Sequence, residues 1–403
     1  MKLYICQLVV VFITLPFSFF NVAAEKNSFS PYVFVSVSYD DNFYKVSPEY
    51  ISENLLLDGN KLDDTIKSSG AGIDVDWNVS KQKISLNALI TDNAFANNVQ
   101  FDNKSKQYQA KWNWHFGKAL SGAVSSSYDK SLASFIDNQF LALAGANKIR
   151  RTNSFDVKWR IHPEWQIGSE VAKKSIGYSG TDSNDNDFNT EVIGLNFAYL
   201  TETENNIGIR LTRQDTDYPN RVFTDGGLDN YYKTNSLGMT FDWHVTEKSN
   251  FSGFMGYESL SYSNTTERDY KDWSANISYA LFVSNKFKIQ SKIWNEVKPS
   301  QSVIANFQRS RGGEVSSTWL IGAKSLLSLS LERENRLLDG IFTDGSSQLF
   351  IEEDYHNFES SFSYELAEYV NIQLGAAISK RKSNSISRSF NSKMVFSSIR
   401  IIW

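Results

Sequence analysis

The residues of this chain best suited to proton transfer near neutral pH are its four histidines, His115, His162, His244 and His356. Paired with a serine or an aspartate, one of them would suit hydrolysis. The surrounding sequence gives that chemistry no support. It has no G-x-S-x-G elbow, no H-E-x-x-H and no Gly-rich phosphate loop, and the histidines are widely separated. The acidic run Asp182, Asp185 and Asp187 supplies carboxylates for calcium, but it lacks the loop glycine and the closing glutamate of a calcium site and reads as a solvated loop. No catalytic residue, bound metal or cofactor is expected, and the chain does not read as an enzyme.

A second set of residues is ordered by spacing. Lys111, His115, Lys158, Arg160, Arg210, Asp242, His244, Lys288, Lys292 and Trp294 occupy the polar phase of two-residue alternations. Asp74, Asp76 and Asp156 share that phase. A surface carrying both charge signs would solvate a hydrophilic solute. The same groups would equally brace a wall through ion pairs, and the two roles are compatible.

The elements that carry these residues are strands. Tyr108, Ala110, Trp112, Trp114 and Phe116 alternate with Gln109, Lys111, Asn113 and His115. Leu237, Met239, Phe241, Trp243 and Val245 form the apolar phase of another such run, and Val370, Ile372, Leu374, Ala376 and Ile378 of a third. A soluble sandwich would show the same pattern. Three features favour a membrane barrel. The runs are about 10 to 14 residues long, nearer a tilted membrane crossing than a soluble strand. Short turns, as at His162-Pro163-Glu164, alternate with long polar loops such as 45–63 and 132–148. Tryptophans gather at strand ends, where an interfacial girdle would lie.

Composition agrees. The 403 residues include 14% aromatics, 6 prolines and 1 cysteine, and the net charge of −4 leaves no footprint for nucleic acid. Mean hydropathy is −0.37, too polar for a bundle of membrane helices. The single cysteine, Cys6, falls in an N-terminal stretch with the charge, apolar run and Val22-Ala23-Ala24 site of a signal peptide, so residues 1–24 are expected to be removed during secretion. Residues 25–403 are then one outer-membrane β-barrel domain, all-β, antiparallel and up-and-down, of about 18 strands. Sixteen remains open, because Arg309, Arg311, Gly312 and Gly313 blur the alternation between 301 and 318. The final run, with Ile399, Ile401 and Trp403 in one phase, resembles the signal read by the barrel assembly machinery.

Ser154 to Trp165 (SFDVKWRIHPEW), Ile207 to Arg221 (IGIRLTRQDTDYPNR) and Arg268 to Tyr279 (RDYKDWSANISY) resemble the EpsL-like outer-membrane β-barrels that accompany exopolysaccharide biosynthesis. The string Asp217, Tyr218, Pro219, Asn220, Arg221 and the His162 to Trp165 turn are the best markers. The resemblance implies export of an exopolysaccharide across the outer membrane, with periplasmic and inner-membrane export components as partners, outer-membrane lipid around the wall and the polysaccharide itself as cargo. It would also make Trp294 a sugar-stacking surface, while Tyr218 and Arg221 are expected to pin a loop folded into the pore. The alternatives are a general or solute-specific diffusion porin and, from a different class, a barrel enzyme or an adhesive surface barrel.

Overall fold

In the computed structural model, residues 28–47, 49–50, 61–136, 145–179, 185–203, 205–223, 229–266, 269–299, 307–341 and 349–403 are described. The expected signal peptide, 1–24, lies outside them, as does Asp182. Eighteen strands follow one another: β1 (Ser28–Asp40), β2 (Asp64–Val79), β3 (Gln82–Phe95), β4 (Asn103–Phe116), β5 (Leu120–Leu132), β6 (Asn147–His162), β7 (Trp165–Ser179), β8 (Phe188–Leu200), β9 (Asn206–Asp217), β10 (Tyr231–Thr246), β11 (Ser249–Tyr262), β12 (Tyr270–Ser284), β13 (Phe287–Pro299), β14 (Phe307–Leu320), β15 (Ser325–Ile341), β16 (Leu349–Ala367), β17 (Val370–Ser383) and β18 (Phe390–Ile402). Each pairs antiparallel with the next, and β1 also pairs with β18 from Tyr32↔Ile402 to Asp40↔Met394. The sheet is therefore a closed, 18-stranded, up-and-down transmembrane β-barrel. Closure removes the free edges that lipid could not hydrate.

The two faces separate as alternation requires. Val33, Val35, Ile193, Leu195, Leu237, Met239, Leu374 and Ile378 are exposed on the outer wall, alongside Trp77, Trp112 and Trp165. Their register neighbours Phe34, Ser36, Val192, Thr234 and Ala377 are buried on the inner one. Connections at one end are tight, as at Val79/Gln82 and Thr246/Ser249, with Gly117 at φ 64° in the β4–β5 turn, a backbone conformation that favours glycine. Those at the other end are long. Pro31 sits within β1, just before the β1–β18 ladder begins, and its carbonyl accepts the Trp403 N–H at 2.9 Å.

The blurred stretch between 301 and 318 does form a strand, and its structure explains the blur. Gly312 faces inward, where the Trp294 indole of β13 occupies the volume that a side chain would take. Arg311 faces outward and donates to Asn295 Oδ1 at 2.8 Å. Arg309 lies 5.3 Å from the Tyr270 ring centroid. The charge is thus spent outside the apolar band, and a missing side chain is compensated across the strand pair. The same joint recurs inside the barrel, with Tyr32 over Gly72, Phe34 over Gly70 and Phe396 over Gly375.

Candidate functional site

The ladder register puts Lys111, His115, Lys158, Arg160, Arg210, Asp242, His244, Lys288, Lys292 and Trp294 on the inward face. Lys111, Lys158, Asp242 and His244 are exposed to the interior. Arg210 is ion-paired with Glu170. Lys288 lies 5.0 Å from the Phe282 ring centroid. His115 has Nδ1 3.0 Å from the Lys81 carbonyl and so helps hold the neighbouring tight turn. His115 and His244 stand on different strands and come together in no described contact. Trp294 departs from its expected role: it is only 4% exposed, with its indole N–H donated to Ser310 Oγ at 2.8 Å and its ring against Gly312. It has no free face for a sugar.

The register also sorts the charges. Lys111, Lys158, Arg160, Lys174 and Arg210 project from β4 to β9, with Asp156 and Glu170 among them. Glu258, Glu296, Glu314, Glu332 and Glu359 project from β11 to β16, with Lys288 and Lys292. Basic side chains predominate on one wall and acidic side chains on the other. The five glutamates went unnamed in the sequence reading. Extending the Leu237-type alternation through β11 would have found Glu258. Glu314 was hidden by the neighbouring glycines.

Among the described residues, the connection after β5 enters the barrel. The loop after β5 turns inward at 133–136, where Phe135 packs against Phe43, Tyr44 and Phe101 with ring centroids 5.0 to 5.6 Å apart. Ile136 then reaches the far side of the closure seam. It packs with Tyr355 of β16 and Phe390 of β18, and its carbonyl accepts from Arg381 Nη1 of β17 at 2.8 Å. Arg381 is itself set in an ionic cluster. Its Nε is 3.7 Å from Glu353, a carboxylate with no exposed surface that also pairs with Arg388, and Arg336 pairs with the buried Glu334 at 2.6 Å. Burial of so many charges is tolerable only because each has an opposite partner.

At the mouth, a second cluster holds the Asp217 to Arg221 string. Tyr218 is buried with Phe188, Tyr232, Leu260, Tyr262 and Phe307. The Arg221 guanidinium lies 3.7 Å from the Tyr218 ring centroid; Nε donates to the Asp185 carbonyl at 3.1 Å and Nη1 to that of Asp229 at 3.0 Å. Asn220 donates to Asp187 at 3.2 Å, and Asp217 accepts from Asn189 at 3.3 Å. Pro219 forms the bend between them. Burial pushes the Tyr218 hydroxyl up to about 12, partly opposed by Arg221, whose own value burial lowers. The string ties two loops to each other, while the loop that crosses the interior is a different one.

Two buried aspartates act alike. Asp64 accepts the N–H groups of Ala96, Asn97 and Asn98, and Asp229 accepts those of Tyr231, Asn264 and Thr265. Each lies at the end of one loop and bonds the next hairpin's loop. Burial pushes Asp229 up, but these donors outweigh it and hold the carboxyl below the usual range. A smaller repeat accompanies them: Phe95, Tyr178 and Tyr262 donate N–H to Asp102, Asp187 and Asp269 on the returning chain. An aromatic residue followed 7 to 9 positions later by Asp at each of these loops was the available sequence signal.

At the end of the chain, Ile399 and Ile401 face outward and Trp403 is exposed.

No protein-family model matches this chain, and no curated protein does. Among solved structures it is similar to the outer membrane protein opdK of Pseudomonas aeruginosa, at 10% identity and a TM-score of 0.46, covering 93% of this chain and 99% of that one. It is also similar to the siderophore receptor PirA of Acinetobacter baumannii, at 9% identity and a TM-score of 0.42, covering 94% and 81%. At these values the likeness is one of barrel architecture and says nothing of solute or partner.

Proposed function

We propose that this barrel is a diffusion channel for small hydrophilic solutes in the outer membrane, its interior narrowed on one side by the loop after β5. The observation that carries this reading is the docking of Ile136 on Arg381, Tyr355 and Phe390, with Lys111, Lys158, Asp242 and His244 left exposed inside. An 18-stranded barrel is wide enough for water. A loop fastened along one wall narrows that space and leaves charged groups of both signs to contact a solute weakly and repeatedly, as permeation requires. Refolded full-length protein in a planar lipid bilayer is expected to give steady conductance with no partner protein present. A pore that stays closed under those conditions overturns the reading.

Exopolysaccharide export rests on the sequence resemblance. Trp294, the aromatic assigned to sugar stacking, is occupied by Gly312 and Ser310, so the small-solute channel is preferred. Loss of extracellular polysaccharide on deletion of the gene would reverse that preference.

A further inference from the structure

Around the outer wall, above the apolar band at the long-loop end, several cations are matched by carboxylates. Lys104 lies 3.8 Å from Asp92, Lys173 3.1 Å from Glu191, Arg213 2.9 Å from Asp215 and Arg333 3.1 Å from Asp354. Among the described residues Lys67, Lys271 and Lys380 stand singly without an ion pair, but further along β4 and on β5 two unmatched cations face each other. Lys106 and Lys130 are direct ladder partners, both outward, and Arg151 of β6 is the partner of Tyr128, two residues before Lys130. Among the described residues none of the three has an ion pair, and Arg151 instead lies 5.6 Å from the Tyr128 ring centroid. Like charges facing each other across a strand pair destabilise the sheet. In this position the natural compensation is an anion supplied from outside the chain.

The level of the cluster identifies the source of that anion. Immediately toward the apolar band, Tyr108 and Tyr128 are stacked, ring centroids 5.5 Å apart and planes at 5°. Below them, past Ser126, which donates to Asn153 of β6 at 2.8 Å, the outer wall continues as Ala110, Trp112 and Trp114 on β4 and Val124 on β5. Tyrosines at the margin of such a band sit at the depth of lipid headgroups. A cation one step above them meets the headgroup itself, and the apolar wall below is there for the acyl chains.

We propose that Lys106, Lys130 and Arg151 form a binding site for the phosphate-bearing headgroup of a membrane lipid in the leaflet next to the long loops. The two lysines approach as point charges, and the guanidinium, stacked on Tyr128, offers paired donors to phosphate oxygens. The site depends on the barrel spanning a membrane and is independent of what passes through it.

The test uses the full-length refolded barrel in neutral detergent, titrated with bisphosphorylated lipid A or with the same lipid stripped of phosphate, retained lipid being read by native mass spectrometry. Wild-type protein is expected to hold the phosphorylated form and to lose it as salt rises. Each cation near a charged lipid surface is worth about fivefold in affinity, so Lys106→Gln/Lys130→Gln/Arg151→Gln should bind at least about tenfold more weakly. Lys173→Gln, on the same outer face of the adjoining β7 but paired with Glu191, should bind as wild type does. A thermal melt separates binding from folding. Removing the facing lysines should not lower the melting temperature in detergent alone, while the rise produced by the phosphorylated lipid should disappear. Binding by the triple variant within twofold of wild type overturns the proposal. So does equal retention of the stripped lipid, or an equal loss in Lys173→Gln.

Discussion

The inner wall of β16 to β18 and β1 to β3 differs from that of β4 to β13, although both are built from the same polar phase of the same alternation. On the first arc, Ser38, Thr91, Ser361, Ser379 and Ser392 are buried. Even Arg381 and Glu353 have almost no exposed surface there. On the second, Lys111, Lys158, Asp242 and His244 are exposed. The difference follows side-chain length. Serines, Gly70, Gly72, Gly375 and Ala377 leave room along the first arc for Tyr32, Phe34, Phe396 and the entering loop, whereas lysines and arginines on the second extend into the interior. A polar inner face is therefore packed or wet according to the size of its residues.

The hardest test of the packed arc is Glu353→Ala. It strands Arg381 and Arg388 without their shared carboxylate, while Arg336 keeps Glu334, and loss of one partner from a buried ionic cluster costs about 3–5 kcal/mol. The folded band on a semi-native gel should disappear at markedly lower temperature. Conductance of the surviving folded protein should rise as Arg381 loses its hold on Ile136. An unchanged melt would mean that the arc is wet after all.

Next comes Asp229→Asn at the mouth, where charge-assisted hydrogen bonds are worth about 1.5–3 kcal/mol. The folded-state value of Asp229 lies below its unfolded value of about 3.9, so its contribution is complete above that pH and is lost as pH falls through the folded value. The protection of the Asn264 and Thr265 amides, relative to their intrinsic exchange at each pH, should fall in acid for wild type. In the variant it should already be low at neutral pH.

Gly312→Ala probes the aromatic joint. The new methyl group meets the Trp294 ring and the Arg333 carbonyl, and overpacking of this kind costs about 1–3 kcal/mol, read as an earlier thermal transition.

The smallest effect on stability belongs to the wet arc. Lys158→Glu should change stability by no more than about 0.5 kcal/mol, as an exposed substitution does. Its signature is electrical: the reversal potential in a salt gradient should move toward cation selectivity. A large loss of stability there would erase the distinction between the arcs.

Much of this was legible before the fold was known. Alternation placed Lys111, Lys158, Arg210 and Asp242 in one phase, and the contrast between tight turns and long loops gave the barrel and about 18 strands, with 16 left open by the stretch from 301 to 318. Side-chain fit was not legible. Gly312 reads as a defect until Trp294 is seen lying on it, and Trp294 reads as a binding surface until its partners are known. The crossing of Ile136 to Arg381 joins positions 245 apart, and no local periodicity carries that information. Arg221 was expected to pin a loop folded into the pore; its partners are the carbonyls of Asp185 on the preceding long loop and Asp229 on its own.

The pairwise bonding of those outer loops has a dynamic consequence. Asp64 couples the chain entering β2 to the loop after β3, while Asp229 couples the chain entering β10 to the loop after β11, and Arg221 adds the chain entering β8 to the second group. Loops joined in this way fluctuate as blocks, each with its own correlated displacement. Current through such a mouth would resolve into a few discrete sublevels, one set for each block, in place of continuous flicker.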